Sequence, residues 1–89
     1  MGLRAYLLID VVDDVDQQQF IEIVRELEEM KGIEFVDPVT GSCDLVIMVE
    51  TPLSVEALVN KIRAEQWLKK IEVLRIVSIF ERRRALNKL

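Results

Sequence analysis

The sequence predicts an α+β sandwich with element order β-α-β-β-α-β. Three observations lead there. Four short segments are dense in aliphatic and β-branched residues, two others repeat their apolar residues at helical spacing, and a brief Thr-Gly-Ser turn joins the two middle strands. With 89 residues the chain makes one domain.

The first strand is Arg4–Val12, an apolar run of strand length. Asp13-Asp14-Val15-Asp16 then turns the chain, and Asp16 with Gln19 three places on has the form of a capping box. Phe20, Ile23, Val24, Leu27 and Met30 follow at helical spacing, with Glu22, Glu26 and Glu29 outside, and Gly32 supplies a left-handed stop. Strand two is Ile33–Val39, alternating at Ile33, Phe35 and Val39, with Pro38 marking an edge or a bulge because it cannot donate to a ladder. Thr40-Gly41-Ser42 is the turn and Cys43–Val49 the third strand, so these two form an antiparallel hairpin. Thr51-Pro52 is expected to open the second helix, which carries Val55, Leu58, Val59 and Ile62 on one face. Trp67 and Leu68 cap the core, and Ile71–Phe80 is the last strand. With right-handed crossovers this order is the ferredoxin-like sandwich: four antiparallel strands with both helices on one face. Residues 1–80 form that domain and residues 81–89 a basic C-terminal tail.

Two helices cover only one face of such a sheet. Alternation places Ala5, Leu7, Ile9 and Val11 on one side of strand one and Tyr6, Leu8 and Val12 on the other. The corresponding outer residues are Val46 and Met48 in strand three and Leu74, Ile76 and Phe80 in strand four. A solvated side of an antiparallel sheet is normally polar, whereas both sides here are apolar. Tyr6, Leu8, Val46, Met48, Leu74, Ile76 and Phe80 are therefore expected to form a dimer interface, sheet against sheet, with a second copy as the simplest partner.

Composition removes several kinds of chemistry. There is no histidine, which excludes Ser/His/Asp and Cys/His machineries and nearly every zinc site. The single cysteine, Cys43, cannot make an intramolecular disulfide; with Asp44 beside it and no histidine to activate it, it reads as a small hydrophobe. No cofactor and no metal are expected. Asp10, Asp13, Asp14 and Asp16 resemble oxygen ligands, but the glycine and distal glutamate of a calcium loop are missing, so they read as a solvated turn and helix cap, with Asp10 at the rim of the outer sheet face. Residues 1–50 hold 12 acids and 3 bases, while residues 51–89 hold 4 acids and 9 bases, for a net charge of −4. An acid-rich chain is a poor general binder of nucleic acid, so none is expected as a partner, and no apolar run is long enough for a membrane span. A cytoplasmic location follows as the expectation. Thr40, Gly41, Ser42, Cys43 and Asp44 form the one polar cluster between apolar strands: either a plain hairpin turn, or a site where Gly41 lets a ligand approach the backbone and Asp44 receives an ammonium group.

At this turn the chain resembles a known family. It is similar to a stand-alone form of the RAM domain, the C-terminal regulatory domain of Lrp/AsnC transcriptional regulators. The resemblance runs over roughly residues 4–80. It rests on Ala5-Tyr6-Leu7-Leu8-Ile9, on Val36 before the hairpin, on Val39-Thr40-Gly41-Ser42-Cys43-Asp44-Leu45, and on Val73–Ile79, where Ser78 stands at a position often threonine. Cys43 departs from the aromatic residue usual there. The resemblance implies a dimer of facing sheets, often built into a ring of dimers. It also implies a small amino-acid effector bound near Gly41 and Asp44, with Ser78 contributing. Full regulators carry a helix-turn-helix ahead of this domain, and strand one starting at Arg4 is expected to leave no room for it. The expected function is effector binding and oligomerisation, not catalysis. The alternatives are a ligand-free assembly module that joins full-length regulators, and an enzyme on the dimeric α+β barrel pattern.

Overall fold

The structure is a computed structural model that describes residues 3–52 and 54–80; the expected basic tail lies outside the described residues. Its elements are β1 (Leu3–Val11), α1 (Gln17–Glu28), β2 (Ile33–Pro38), β3 (Leu45–Thr51), α2 (Val55–Arg63) and β4 (Leu68–Arg75). The strands form one antiparallel sheet in the order β2-β3-β1-β4, which is the expected ferredoxin-like arrangement.

The start of α1 follows from its cap. The Asp16 carboxylate accepts from the Gln19 backbone N–H at 2.8 Å, and the Gln19 side chain accepts from the Asp16 N–H at 2.9 Å. Two N–H groups with no helical carbonyl to meet are thus satisfied together. Gly32 adopts φ +95° and turns the chain into β2, with its carbonyl accepting from Glu50 N–H at 2.8 Å. The core lies between sheet and helices: Ala5, Leu7 and Ile9 from β1, Leu45, Ile47 and Val49 from β3, Ile23 and Leu27 from α1, and Val55, Leu58, Val59 and Ile62 from α2 are all buried.

Three boundaries and one register differ from expectation by enough to move side chains. Helix α2 begins at Val55, not at Pro52, because Ser54 is its N-cap and accepts from Ala57 N–H at 3.3 Å; Thr51 ends β3 instead. Strand β3 begins at Leu45, so Cys43 and Asp44 belong to the turn. A register shift between Ile33 and Phe35 turns Val36 into the core and leaves Phe35 on the opposite side, 60% exposed. Finally, β4 is Leu68–Arg75 and not Ile71–Phe80. Its register is set by β1, which pairs Val11 with Leu68 and Ala5 with Arg75, after which Ile76 N–H still reaches the Arg4 carbonyl. The chain leaves the sheet there, and Ile79 and Phe80 are helical. Phe80 is therefore not a sheet-face residue, and Ile76 lies just past the last strand position.

Candidate functional site

With Ala5, Leu7 and Ile9 buried under the helices, Tyr6, Leu8 and Asp10 point to the open side of β1. Pairing aligns them with their neighbours in rows across the sheet. One row is Phe35, Met48, Tyr6 and Leu74; the next is Asp37, Val46, Leu8 and Glu72. Asp10 faces Lys70 at the hairpin end, and Arg4 faces Glu50 at the other, where the two side chains lie 3.8 Å apart. The face therefore has an apolar middle between charged ends. Leu8, Val46 and Met48 are half-buried in the single chain, while Tyr6 and Leu74 are 39% and 45% exposed. Five of the seven expected interface residues share this surface, and Phe35 joins them.

The turn is built by backbone bonds at its base. Val39 N–H donates to the Asp44 carbonyl and Asp44 N–H to the Ile9 carbonyl, each at 2.9 Å. Between them Gly41 has φ +131°, a conformation that side chains with a Cβ rarely adopt, although the space around it is open. Thr40, Gly41 and Ser42 are exposed, while Cys43 and Asp44 are half-buried and the Cys43 thiol is free. The Asp44 carboxylate has a task that sequence spacing did not reveal: its Oδ2 accepts from Val11 N–H at 2.9 Å. Strand β1 shifts register against β4 at Asp10 and Val11, just past its last β3 pair, Ile9 with Leu45. The side chain supplies the acceptor where the β1–β3 ladder stops. Ser78 is not brought to this turn. It follows Ile76, which bonds to Arg4 at the far end of β1, so within one chain Ser78 and Gly41 lie at opposite ends of the sheet.

A hollow of about 100 Å³ opens beside the turn, lined by Leu8, Asp10, Ser42, Cys43, Lys70 and Glu72. Lys70 and Glu72 had no place among the expected site residues: Lys70 precedes the strand expected at Ile71–Phe80, and Glu72, inside it, was not counted on the apolar face. A larger hollow of about 460 Å³ lies between the β1–α1 and α2–β4 loops, lined by Val12, Asp14, Val15, Gln19, Gln66 and Trp67. The Trp67 indole N–H is buried there without a hydrogen-bond partner. Among the described residues no three or more acidic or cysteine side chains are grouped as metal ligands would be, and Asp13 pairs with Lys69 at 3.3 Å. Nor is any described helix long and apolar enough to cross a membrane.

The chain is similar to a hypothetical protein from Pyrococcus horikoshii at 20% identity, with a TM-score of 0.68, covering 85% of this chain and 90% of that one. It is similar to a transcriptional regulator from Neisseria meningitidis, solved as a complex with L-methionine, at 8% identity and a TM-score of 0.71, covering 88% of this chain and 51% of the regulator. MtbAldR gives 12% identity and a TM-score of 0.72 over 85% of this chain and 52% of its own. The chain thus spans about half the length of these last two proteins. At these identities the likeness is one of fold, and it agrees with the ferredoxin-like sandwich expected from the sequence. No protein-family model and no curated protein matches the chain.

Proposed function

We propose that the chain is a regulatory module of Lrp/AsnC type that self-associates through its open sheet face and binds a small amino-acid effector at the hairpin end. The observation that carries this reading is the uncovered apolar row Phe35, Met48, Tyr6 and Leu74, backed by Val46 and Leu8. A patch of this kind on a small domain marks a partner surface. A second copy fits it by chemistry. No charged side chain sits in that row, so pairing like faces buries no unpaired charge at the centre, and the charged residues at either end, the Arg4–Glu50 pair and Asp10 with Lys70, fall toward the rim. The Neisseria meningitidis regulator was solved with L-methionine, which supports an amino acid as the effector class. Thr40, Gly41, Ser42, Cys43 and Asp44 surround the proposed site, and Ser78 reaches such a site only from a neighbouring copy. No catalysis, nucleic acid or membrane enters this proposal, and a cytoplasmic location is proposed with it. Joining full-length regulators is the second reading, favoured by the occurrence of this fold as half of two neighbours.

Light scattering after size exclusion, paired with thermal melts over the common L-amino acids at one protein concentration, tests both halves. The expected result is a dimer or larger mass and a raised melting temperature with one or a few amino acids. A monomer mass with no shift would contradict the proposal.

A further inference from the structure

The 460 Å³ hollow between the β1–α1 and α2–β4 loops shares no residue with the hollow at the hairpin. Its volume falls within the ~300–1,000 Å³ usual for small-molecule sites. Bonds between the two loops hold its walls. Val12 N–H donates to the Trp67 carbonyl at 2.8 Å, and Lys69 Nζ donates to Asp13 Oδ1 at 3.3 Å. The Gln19 side chain is fixed as well, because its Oε1 accepts from Asp16 N–H, and its amide nitrogen is left as the donor it can offer. The hollow is thus formed before anything enters it.

The chemistry of the lining is one-sided. Asp14 brings a carboxylate that belongs to none of the ion pairs among the described residues, which are Arg4–Glu50, Asp13–Lys69 and Glu56–Arg75. No basic side chain lines the hollow, and Lys69, just past Trp67, is already engaged by Asp13. The positive end of α1 nearby is offset by the Asp16 carboxylate at its cap. Val12 and Val15 make part of the wall apolar. Trp67 is half-buried, yet its indole N–H is fully buried and has no partner. The donor is therefore turned away from solvent, and the side chain offers the hollow its ring carbons. Such a surface attracts a cation through its π electrons and packs against a flat apolar group.

We propose that this hollow is a binding site for a small organic cation with a flat apolar body, an aromatic ammonium or amidinium. Asp14 receives the charged group, Trp67 and the two valines cover the body, and the Gln19 and Gln66 amides supply neutral hydrogen-bonding groups at the rim. An anion would meet Asp14 and no base. An uncharged aromatic would leave Asp14 unpaired, and a small hydrated cation would leave the apolar wall wet. The inference does not depend on the effector reading of the hairpin.

Trp67 is the chain's one tryptophan, so its fluorescence reports on this hollow. Benzamidine and phenethylamine are titrated into the full chain. Benzoate, benzyl alcohol and methylammonium serve as controls that reverse the charge, remove it or remove the body, and equilibrium dialysis shows that an emission change is binding. Wild type is compared with Asp14→Asn and Gln66→Lys, both at exposed positions, and with Lys70→Met in the hairpin hollow, with melts showing that all three remain folded. The expected result is saturable binding of at least one aromatic cation at millimolar concentration or below. Asp14→Asn, Gln66→Lys and the controls should each be weaker by about fivefold or more, and Lys70→Met should bind as wild type does. Absence of saturable binding by both cations overturns the inference. So does an Asp14→Asn variant that binds as tightly as wild type, benzoate binding as well as benzamidine, or loss of binding in Lys70→Met, which would put the cation at the hairpin.

Discussion

Replacing Asp44 by alanine removes the acceptor that holds Val11 N–H at 2.9 Å. The lost bond has an ionised acceptor, a class worth about 1.5–3 kcal/mol net. Asp44 is half-buried, and water can partly replace the carboxylate, which places the cost near the lower end, about 1.5 kcal/mol. For a domain of this size that is a fall in melting temperature of roughly 6–12 °C. Asp44→Asn keeps an oxygen in place and should recover most of the loss. Urea titrations at one fixed protein concentration give the free energies, since association would otherwise enter the comparison. Hydrogen exchange at the Val11 amide gives the local readout, and it should quicken in the alanine variant before global unfolding contributes. An alanine variant with wild-type stability and unchanged Val11 exchange would refute the reasoning, because the carboxylate would then be holding nothing.

Gly41→Val should destabilise by about 1–2 kcal/mol in urea titration through φ +131° alone, since open space surrounds the position and no clash contributes. Asp16→Ala should cost about 1 kcal/mol and lower helicity in circular dichroism, as the carboxylate that accepts from Gln19 N–H disappears and only the bond from the backbone N–H of residue 16 to the Gln19 side chain remains. The Glu26 carboxyl is held above its ordinary value, first by desolvation and then by the Glu65 carboxyl nearby. The folded state therefore holds that proton more tightly than the unfolded state. Its contribution is most favourable below the ordinary value and declines as pH rises through the raised one. Glu26→Gln should flatten the stability profile just above the ordinary carboxylate range, as melts across a pH series would show.

The elements that local chemistry decides were legible in the sequence. Asp16 and Gln19 announce the α1 cap, Gly32 and Gly41 both take positive φ, and alternation separates Leu7 and Ile9 from Tyr6 and Leu8. What was not legible depends on partners distant in the chain. Ile71–Phe80 is the more apolar window, yet β4 is Leu68–Arg75, because β1 sets its register and an edge strand can carry Lys69, Lys70 and Glu72 toward water. The same misplacement left Lys70 outside the strand. Phe35 reached the open face through a register shift, which strict alternation does not foresee. The bond between Asp44 and Val11 likewise depends on where β1 leaves its ladder. At the start of α2, Pro52 suits a first helical position by residue type, yet Ser54 is the residue whose side chain caps the helix.

Sedimentation equilibrium of the wild-type protein beside Met48→Asp tests the central claim, that the open face is a self-association surface. Met48 sits between Phe35 and Tyr6 in the apolar row, so an aspartate there would place an unpaired carboxylate at the centre of the contact. The wild type should be dimeric or larger at micromolar concentration, and the variant should be a folded monomer with near-native circular dichroism. A wild-type protein that sediments as a stable monomer, or a Met48→Asp variant that associates as tightly as wild type, would contradict the account.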